Sequence, residues 1–164
     1  MEQKIKTQNG FLTARQHARS IWSNIEHRME TVAEINGVEY INDSKATDVD
    51  ATFYTLELLE KPLVWIVGTS DYEEDYAVFQ KLVKYKVIKL VCFGENDSAV
   101  SNSLEKWVDK YHHTTNLEDA FAWASTEAEK GSAVLLSPAS PSFDLFKNFR
   151  ERGEQFRSLV SRLK

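Results

Sequence analysis

Residues 63–67 read Leu-Val-Trp-Ile-Val, an apolar run followed at once by Gly68 and a polar loop. Two more short apolar runs lie downstream, at 87–93 and 133–136. Continuous runs of this length are typical of strands buried on both faces of a parallel sheet. The amphipathic segments around these runs are predicted helices, at 49–60, 75–84, 98–108, 117–129 and 144–162. Strands that alternate with helices predict βαβ units with right-handed crossovers.

Upstream of the first run, Asn36-Gly37 separates two alternating segments, at 30–35 and 38–41. Asn-Gly supplies the positive φ angles of a tight turn, so these segments predict a β-hairpin. Residues 111–115 predict a weaker edge strand. The predicted fold class is α/β, a Rossmann-like three-layer domain whose mostly parallel sheet carries an N-terminal antiparallel hairpin.

The first residues form a separate unit in this prediction. Apolar residues recur at helical spacing between Phe11 and Ile25, which indicates a helix, whereas residues 1–10 are polar and expected to be loose. We therefore divide the chain into an N-terminal extension with a predicted helix, at 1–23, and one domain at 24–164.

Composition restricts the classes of function. The chain has 164 residues and a net charge of −5, which suits one globular domain and argues against nucleic-acid binding. Cys92 is the single cysteine, so no disulfide forms within the chain, and an apolar core position is expected for it. No segment resembles a signal peptide or a membrane span, and the expected location is the cytoplasm.

Ligands of open α/β sheets bind beyond the carboxyl ends of the strands. The loops at those ends are expected to share one edge of the sheet, and they lie at 42–48, 68–75, 94–97 and 137–144. Lys45 precedes a predicted helix and offers a cation for a carboxylate or phosphate, with Ser44 and Thr47 as hydroxyl donors. The last loop carries Ser142. The alternative is that such residues only cap helices, as Ser142 or Asp144 would.

Other sites are not predicted. The chain contains no G-x-G-x-x-G, no G-x-x-x-x-G-K-[ST] and no G-x-S-x-G. His112 and His113 are adjacent on a predicted strand, so they point to opposite faces and chelate poorly. The acidic run at 71–75 contains four carboxylates that could hold a divalent cation, but a solvated loop is the better interpretation. We therefore assign no metal site.

Five segments, in the family's order, resemble the C-terminal, glutamate ligase domain of MurD-type Mur ligases, the UDP-N-acetylmuramoylalanine–D-glutamate ligases of peptidoglycan biosynthesis. The resemblance runs from about residue 24 to the end. The segments are His27-Arg28-Met29-Glu30, YINDSKAT at 40–47, Ser137-Pro138-Ala139, SFDLFKNF at 142–149 and RGEQF at 152–156.

In that family, a substrate carboxylate is phosphorylated by ATP, and the amine of the incoming amino acid attacks the acyl phosphate. The resemblance implies that this domain binds D-glutamate and closes over the nucleotide during cell-wall synthesis. It implies that Arg28 and Asp43 contact the nucleotide, as phosphate and ribose ligands. Lys45 is implied at the reaction centre, as the catalytic residue.

The amino-acid side of the implied site has three members, Thr47, Ser142 and Phe149. A departure lies in the second loop, where Tyr72 stands at the position of a family lysine that pairs with a carboxylate of D-glutamate. Losing one charge-assisted contact weakens binding by roughly 1.5–3 kcal/mol, and Glu73 adds repulsion. Tyr72 is therefore an altered family position.

Three interpretations follow. In the first, the chain is a catalytic module of an ATP-dependent acid–amino-acid ligase. It works only with ATPase and UDP-sugar domains on another chain or in a longer parent, and ATP and magnesium bind only in that complete ligase. In the second, it is an inactive stand-alone paralogue that binds D-glutamate or a UDP-MurNAc-peptide, or regulates a Mur ligase. In the third, the helix at 11–25 docks a partner through a large exposed apolar face.

Overall fold

The computed structural model describes residues 2–69 and 74–164, and within the first helix it describes the exposure of Gly10 and the side chains from Thr13 onwards. The strands are β1 Glu30–Ile35, β2 Val38–Asn42, β3 Leu63–Gly68, β4 Val87–Phe93, β5 Lys110–Thr114 and β6 Ala133–Leu136. The α-helices are α1 Glu2–Trp22, α2 Val49–Leu58, α3 Gln80–Lys86, α4 Ser98–Leu104, α5 Leu117–Glu127 and α6 Phe149–Ser161. Two 3₁₀ segments flank α3 and α4, at Tyr76–Phe79 and Glu105–Trp107.

All six strands form one sheet, in the order β1-β2-β6-β3-β4-β5. β1 and β2 pair antiparallel, and the other neighbours are parallel. Asn36 and Gly37 both have positive φ angles, 52° and 78°, as the predicted hairpin turn requires. The predicted α/β fold class, the hairpin and the edge strand are confirmed.

Helices cover both faces of the sheet and bury one core on each. One core gathers Trp65 with side chains of α1 to α4, and it includes the predicted core residue Cys92. The other gathers Ile66 with side chains of α5 and α6. Because neighbouring strand residues alternate between faces, β3 is apolar at every position and supplies both cores.

Several predicted helix boundaries were wrong. The helix predicted at 75–84 is α3 at Gln80–Lys86, preceded by a 3₁₀ segment, and the helix predicted at 98–108 ends at Leu104, where a 3₁₀ segment follows. α1 begins at Glu2, so residues 2–10 are helical rather than loose, and it ends at Trp22. The last helix begins at Phe149 instead of 144, because the Asn148 side chain accepts a hydrogen bond from Glu151 N and caps it there. The interpretation of Ser142 and Asp144 as caps of this helix is therefore also wrong. In the described part of the chain, no helix has the length and apolarity needed to cross a membrane.

Candidate functional site

Backbone hydrogen bonds bring the four loops together at one edge of the sheet, as predicted. Asp43 N donates to Leu136 O over 2.8 Å, and Gly68 N donates to Pro138 O over 2.8 Å. Gly94 N donates to a carbonyl at the end of β5 over 3.0 Å. The loops after β2, β3, β4 and β6 are thereby tied to their neighbours at the carboxyl ends of the parallel strands, where α/β ligand sites form.

Asp43 is the buried centre of this edge, with no exposed surface. Its carboxylate accepts hydrogen bonds from Thr55 Oγ1 at 2.6 Å, Ser137 Oγ at 2.7 Å and Met29 N at 3.1 Å. Arg28 contacts the same carboxylate at 3.2 Å. Burial raises the pKa of Asp43 to about 6, although Arg28 and the hydrogen bonds act in the opposite direction. Asp43, the residue predicted to contact the ribose of the nucleotide, is therefore enclosed by protein groups.

Arg28 lies between three neighbours that limit its freedom. Its guanidinium is 4.7 Å from the ring centroid of Trp22, and one of its nitrogens donates to Ala51 O at 3.4 Å. Only 12% of its side chain is exposed. Arg28 and Asp43, the two predicted nucleotide contacts, are brought together by the fold, and they bind each other.

Lys45 has the opposite surroundings. Its backbone N donates to His27 O at 3.0 Å, which fixes the main chain. Its side chain is exposed, and Nζ lies 5.6 Å from the ring centroid of Phe149. Among the described residues, Lys45 has no carboxylate partner. Lys45 and Phe149 are thus brought together, with the half-buried Thr47 two residues further along, and they offer an unneutralised cation to a ligand.

Arg152 was not predicted as a functional residue, although it begins the RGEQF segment. It is 1% exposed and clamps two loops together. It donates to Ser44 Oγ at 3.0 Å and Ser44 O at 2.9 Å on one side, and to Ser140 O at 3.1 Å on the other. Burial lowers the pKa of Arg152 to about 9, against the favourable charge of Asp43, so the guanidinium stays charged at neutral pH.

Ser142 lines a pocket of about 170 Å³ next to this clamp. Its carbonyl accepts the backbone N–H of Phe146 at 2.8 Å, which orders the loop before α6. Ser142 is 4% exposed, and its hydroxyl makes no hydrogen bond with any described residue. The pocket walls combine polar and apolar groups from three of the loops and from α6: Thr69, Phe93, Gly94, Glu95, Ser140, Pro141, Ser142, Asp144, Leu145, Phe146 and Arg152.

Glu26, His27 and Glu154 form the one group among the described residues whose side chains could hold a metal ion. Asn42 Nδ2 can only donate, and it contacts His27 Nδ1 at 2.9 Å, which leaves the ring proton on Nε2. Nε2 is the nitrogen that faces the two carboxylates, at 3.7 and 3.5 Å. Arg157 also contacts both carboxylates. The group is therefore arranged as an ion-pair network.

Two other predictions concern the loops and β5. His112 stacks on Trp123 with ring centroids 5.3 Å apart, whereas His113 Nε2 contacts Gly94 O at 2.8 Å on the other face. The expectation that the two histidines point apart is confirmed. Tyr72, the altered family position, lies outside the described residues, as does most of the acidic run.

Comparison with known proteins identifies the family. The model of the Mur ligase, glutamate ligase domain, matches residues 27–140. The UDP-N-acetylmuramoylalanine–D-glutamate ligase of Christiangramia forsetii is 44% identical over 142 residues, which cover 87% of this chain and 32% of that protein. The same-named protein of Cytophaga hutchinsonii is 44% identical over 140 residues, covering 85% of this chain and 31% of that protein.

A solved structure agrees on the fold. The MurF ligase from Thermotoga maritima in complex with ADP superposes with a TM-score of 0.54 at 16% identity, covering 85% of this chain and 32% of that chain. The chain therefore spans about a third of the length of the curated relatives described above. This chain belongs to the Mur ligase family, and it corresponds to the C-terminal, glutamate ligase domain of its MurD-like members.

Proposed function

We propose that this domain binds the amino acid, D-glutamate, and closes over the nucleotide during ATP-dependent amide ligation of a peptidoglycan precursor. The observation that carries the proposal is Lys45, an exposed cation without a carboxylate partner among the described residues, at the sheet edge where the four loops begin. A preorganised cation at this edge would stabilise the negative charge of a carboxylate or a transferred phosphate. Lys45 is the proposed catalytic residue.

The amino acid would be held on two sides of this lysine. Thr47 and Phe149 lie on the Lys45 side. Ser142, whose hydroxyl has no hydrogen-bond partner among the described residues, lines the pocket beyond the Arg152 clamp. Because Arg152 bonds to both Ser44 and the serine loop, the two halves of this proposed site keep a fixed geometry.

The nucleotide side rests on Arg28 as a phosphate contact and Asp43 as a ribose contact. Arg28 has the charge for the first role. The Asp43 carboxylate is buried and engaged by protein groups, so its role as a ribose contact requires this edge to open when the nucleotide binds. The chain has no P-loop to hold a triphosphate, so ATP and Mg²⁺ belong to the complete ligase, where they activate the carboxylate as an acyl phosphate. We place this activity in the cytoplasm, consistent with the unpaired Cys92.

Chemical turnover would require ATPase and UDP-sugar domains from another chain or from a longer parent. The share of the relatives that this chain spans supports that requirement. A test in the chain as it stands must therefore measure binding. We would titrate ¹⁵N-labelled protein with D-glutamate, ADP–Mg²⁺ and UDP-MurNAc-L-Ala-D-Glu, and follow backbone amide shifts.

The proposal predicts shifts confined to residues 43–48 and 137–149. Tyr72→Lys restores the family's cation in the second loop, and we expect it to strengthen D-glutamate binding about tenfold or more, as one charge-assisted contact of 1.5–3 kcal/mol implies. Tyr85→Lys is the matched control, because Tyr85 is 74% exposed on α3, away from these loops. No shift from any ligand in the wild type or in Tyr72→Lys would overturn the proposal.

One observation favours a second function, that of an inactive paralogue which binds a precursor or regulates a ligase. Arg28 contacts Asp43 and lies over the Trp22 ring, so the proposed nucleotide contacts are already engaged. This interpretation predicts that UDP-MurNAc-L-Ala-D-Glu shifts residues 137–149 whereas ADP–Mg²⁺ shifts nothing. Saturable ADP–Mg²⁺ shifts at Arg28 would instead support the catalytic module.

A further inference from the structure

A second surface lies away from the four loops, where α3 meets the 3₁₀ segments at Tyr76–Phe79 and Glu105–Trp107. It contains an open groove of about 510 Å³. We call it the basic groove, and its walls are Ala77, Val78, Gln80, Lys81, Lys84, Tyr85 and Trp107. No residue of the proposed ligase site lines it.

Two large hydrophobic side chains of the basic groove are exposed to solvent. Tyr85 is 74% exposed, the second-highest value among the described large hydrophobic side chains, and Val78 is 43% exposed. Trp107 forms the other wall, and its indole Nε1 is buried without a hydrogen-bond partner among the described residues. Exposed aromatic and aliphatic side chains that surround a concave surface are typical of contact sites for other proteins.

The charge of the basic groove is positive, although the whole chain carries −5. Lys84 Nζ lies 5.9 Å from the Tyr85 ring centroid and 5.6 Å from that of Trp107. Lys106 Nζ lies 5.2 Å from the Trp107 ring on the neighbouring segment. Lys84 and Lys106 lie over these rings, and neither they nor Lys81 forms an ion pair with a described carboxylate.

Other lysines of this domain are already engaged. Lys61, Lys89 and Lys110 form ion pairs with glutamates, and Lys86 donates to three carbonyls at the end of α2. The lysines of the basic groove keep their charge available for a partner. Charge complementarity then selects an acidic partner, and the exposed Tyr85 and Val78 select an apolar anchor within it.

We propose that the basic groove docks an acidic protein segment in which aspartates and glutamates flank an apolar or aromatic side chain. The flanking carboxylates would pair with Lys81, Lys84 and Lys106, and the apolar side chain would lie against Tyr85 and Val78. Such a contact is small, so it is weak, transient and sensitive to salt. Nucleic acid is the competing ligand, since lysines and aromatic rings also bind single strands.

The test uses the full chain, labelled with ¹⁵N, and a synthetic peptide of about twelve residues in which acidic residues flank one phenylalanine, a length that fits a small contact. We expect shifts confined to residues 76–86 and 104–109, including the Trp107 indole N–H, which Trp107→Phe identifies. Raising salt from about 50 to about 300 mM should weaken binding several-fold. Shifts that lie elsewhere, or none at all, would overturn the proposal.

Charge-reversal variants complete the test. Lys84→Glu with Lys106→Glu should weaken peptide binding at least about tenfold, because two attractive contacts become repulsive. Lys130→Glu with Lys164→Glu makes the same change of net charge on exposed lysines elsewhere and should leave binding unchanged. Equal losses in both pairs would mean a diffuse charge effect. If a single-stranded DNA of similar length bound more tightly than the peptide, the groove would be assigned to nucleic acid. Either result, the equal losses or the tighter DNA binding, would refute the docking of an acidic segment.

Discussion

Asp43 and Lys45 are two residues apart in one loop, yet their surroundings are opposite. Asp43 has no exposed surface and contacts Thr55, Ser137 and Arg28 through its carboxylate. Lys45 is exposed, and within the described part of the chain its side chain lies over one ring, that of Phe149. The Asp43 carboxylate has its hydrogen-bond partners within the protein, whereas the Lys45 ammonium has no charged partner among the described residues and can bind a ligand.

The difference separates two tasks within one motif. A buried carboxylate surrounded by donors specifies a single loop conformation, because displacing it would leave several polar groups unsatisfied. An exposed cation contributes little to stability but keeps its charge for a ligand. If this division is correct, substitutions at Asp43 act mainly on folding and substitutions at Lys45 mainly on binding.

The largest expected effect is that of Asp43→Ala. It removes the acceptor of three hydrogen bonds and the partner of Arg28 in a fully buried position. We expect the free energy of unfolding to fall by about 3–5 kcal/mol, measured by urea denaturation. Asp144→Ala, at an exposed carboxylate, is the control and should change it by less than about 0.5 kcal/mol. Similar values for the two variants would contradict the role of Asp43.

The next effect concerns pH. Burial raises the folded-state pKa of Asp43 to about 6 from 3.8, so the folded protein binds this proton more tightly than the unfolded chain does. The associated stability is fully present below pH 3.8 and is lost as the pH rises through about 6.

Asp43→Asn cannot titrate and isolates this contribution. The unfolding free energy of the wild type minus that of Asp43→Asn should be about 2 kcal/mol more favourable near pH 4.5 than near pH 7.5. Urea denaturation at both values measures it. A difference with the opposite sign would mean that the Arg28 charge outweighs burial and holds the carboxylate ionised.

The sequence predicted the sheet well because its signals are local. The apolar runs located β3, β4 and β6 to within one residue, and Asn36-Gly37 located the hairpin. The start of α6 was missed because residues 144–148 keep a helical spacing of apolar residues, whereas Phe143 and Leu145 are in fact 76% and 45% exposed in an irregular turn. Only the cap at Asn148 marks the true start.

The residues of the candidate site also divide into those that a local sequence signal predicts and those whose position depends on tertiary contacts. Lys45 and Ser142 were predicted because they follow predicted strands, where ligand sites form. The fold places both at the predicted edge of the sheet, and their roles stay predictions. Arg152 was missed because an arginine on an amphipathic helix is normally solvated, and only the tertiary contacts with Ser44 and Ser140 bury it. The burial of Asp43 has no local signal either, since its donors come from segments up to 94 residues away.

A smaller effect on stability is expected for Gly153→Ala, which tests how tightly α6 packs against the segment before β1. A methyl group at Gly153 would lie under 3.0 Å from three atoms of the His27 ring. His27 has a φ of 59° and little room to shift. Overpacking costs roughly 1–3 kcal/mol, and the better helix propensity of alanine returns about 1, so Gly153→Ala should lose about 1 kcal/mol net.

Gly10→Ala is the matched control for this helix substitution. Gly10 lies inside α1 with nothing within 4 Å of an added methyl group, so alanine should stabilise the protein by several tenths of a kcal/mol. Thermal denaturation of both variants measures the contrast. A stabilised Gly153→Ala would show that the ring moves freely and that α6 is not tightly packed on His27.

The smallest effect on stability is expected for Lys45→Ala, and it is the sharpest test of the contrast with Asp43. The side chain has no ion pair among the described residues, and the main chain is fixed by the hydrogen bond of Lys45 N to His27 O, which alanine keeps. The unfolding free energy should therefore change by less than about 0.5 kcal/mol.

D-glutamate or ADP–Mg²⁺ binding should weaken about tenfold or more, as the loss of one charge-assisted contact implies. Lys147→Ala, another exposed lysine without an ion pair among the described residues, should change neither quantity. If Lys45→Ala destabilised the protein by several kcal/mol and left ligand affinity intact, Lys45 would be part of the scaffold and the division of tasks within this loop would be wrong.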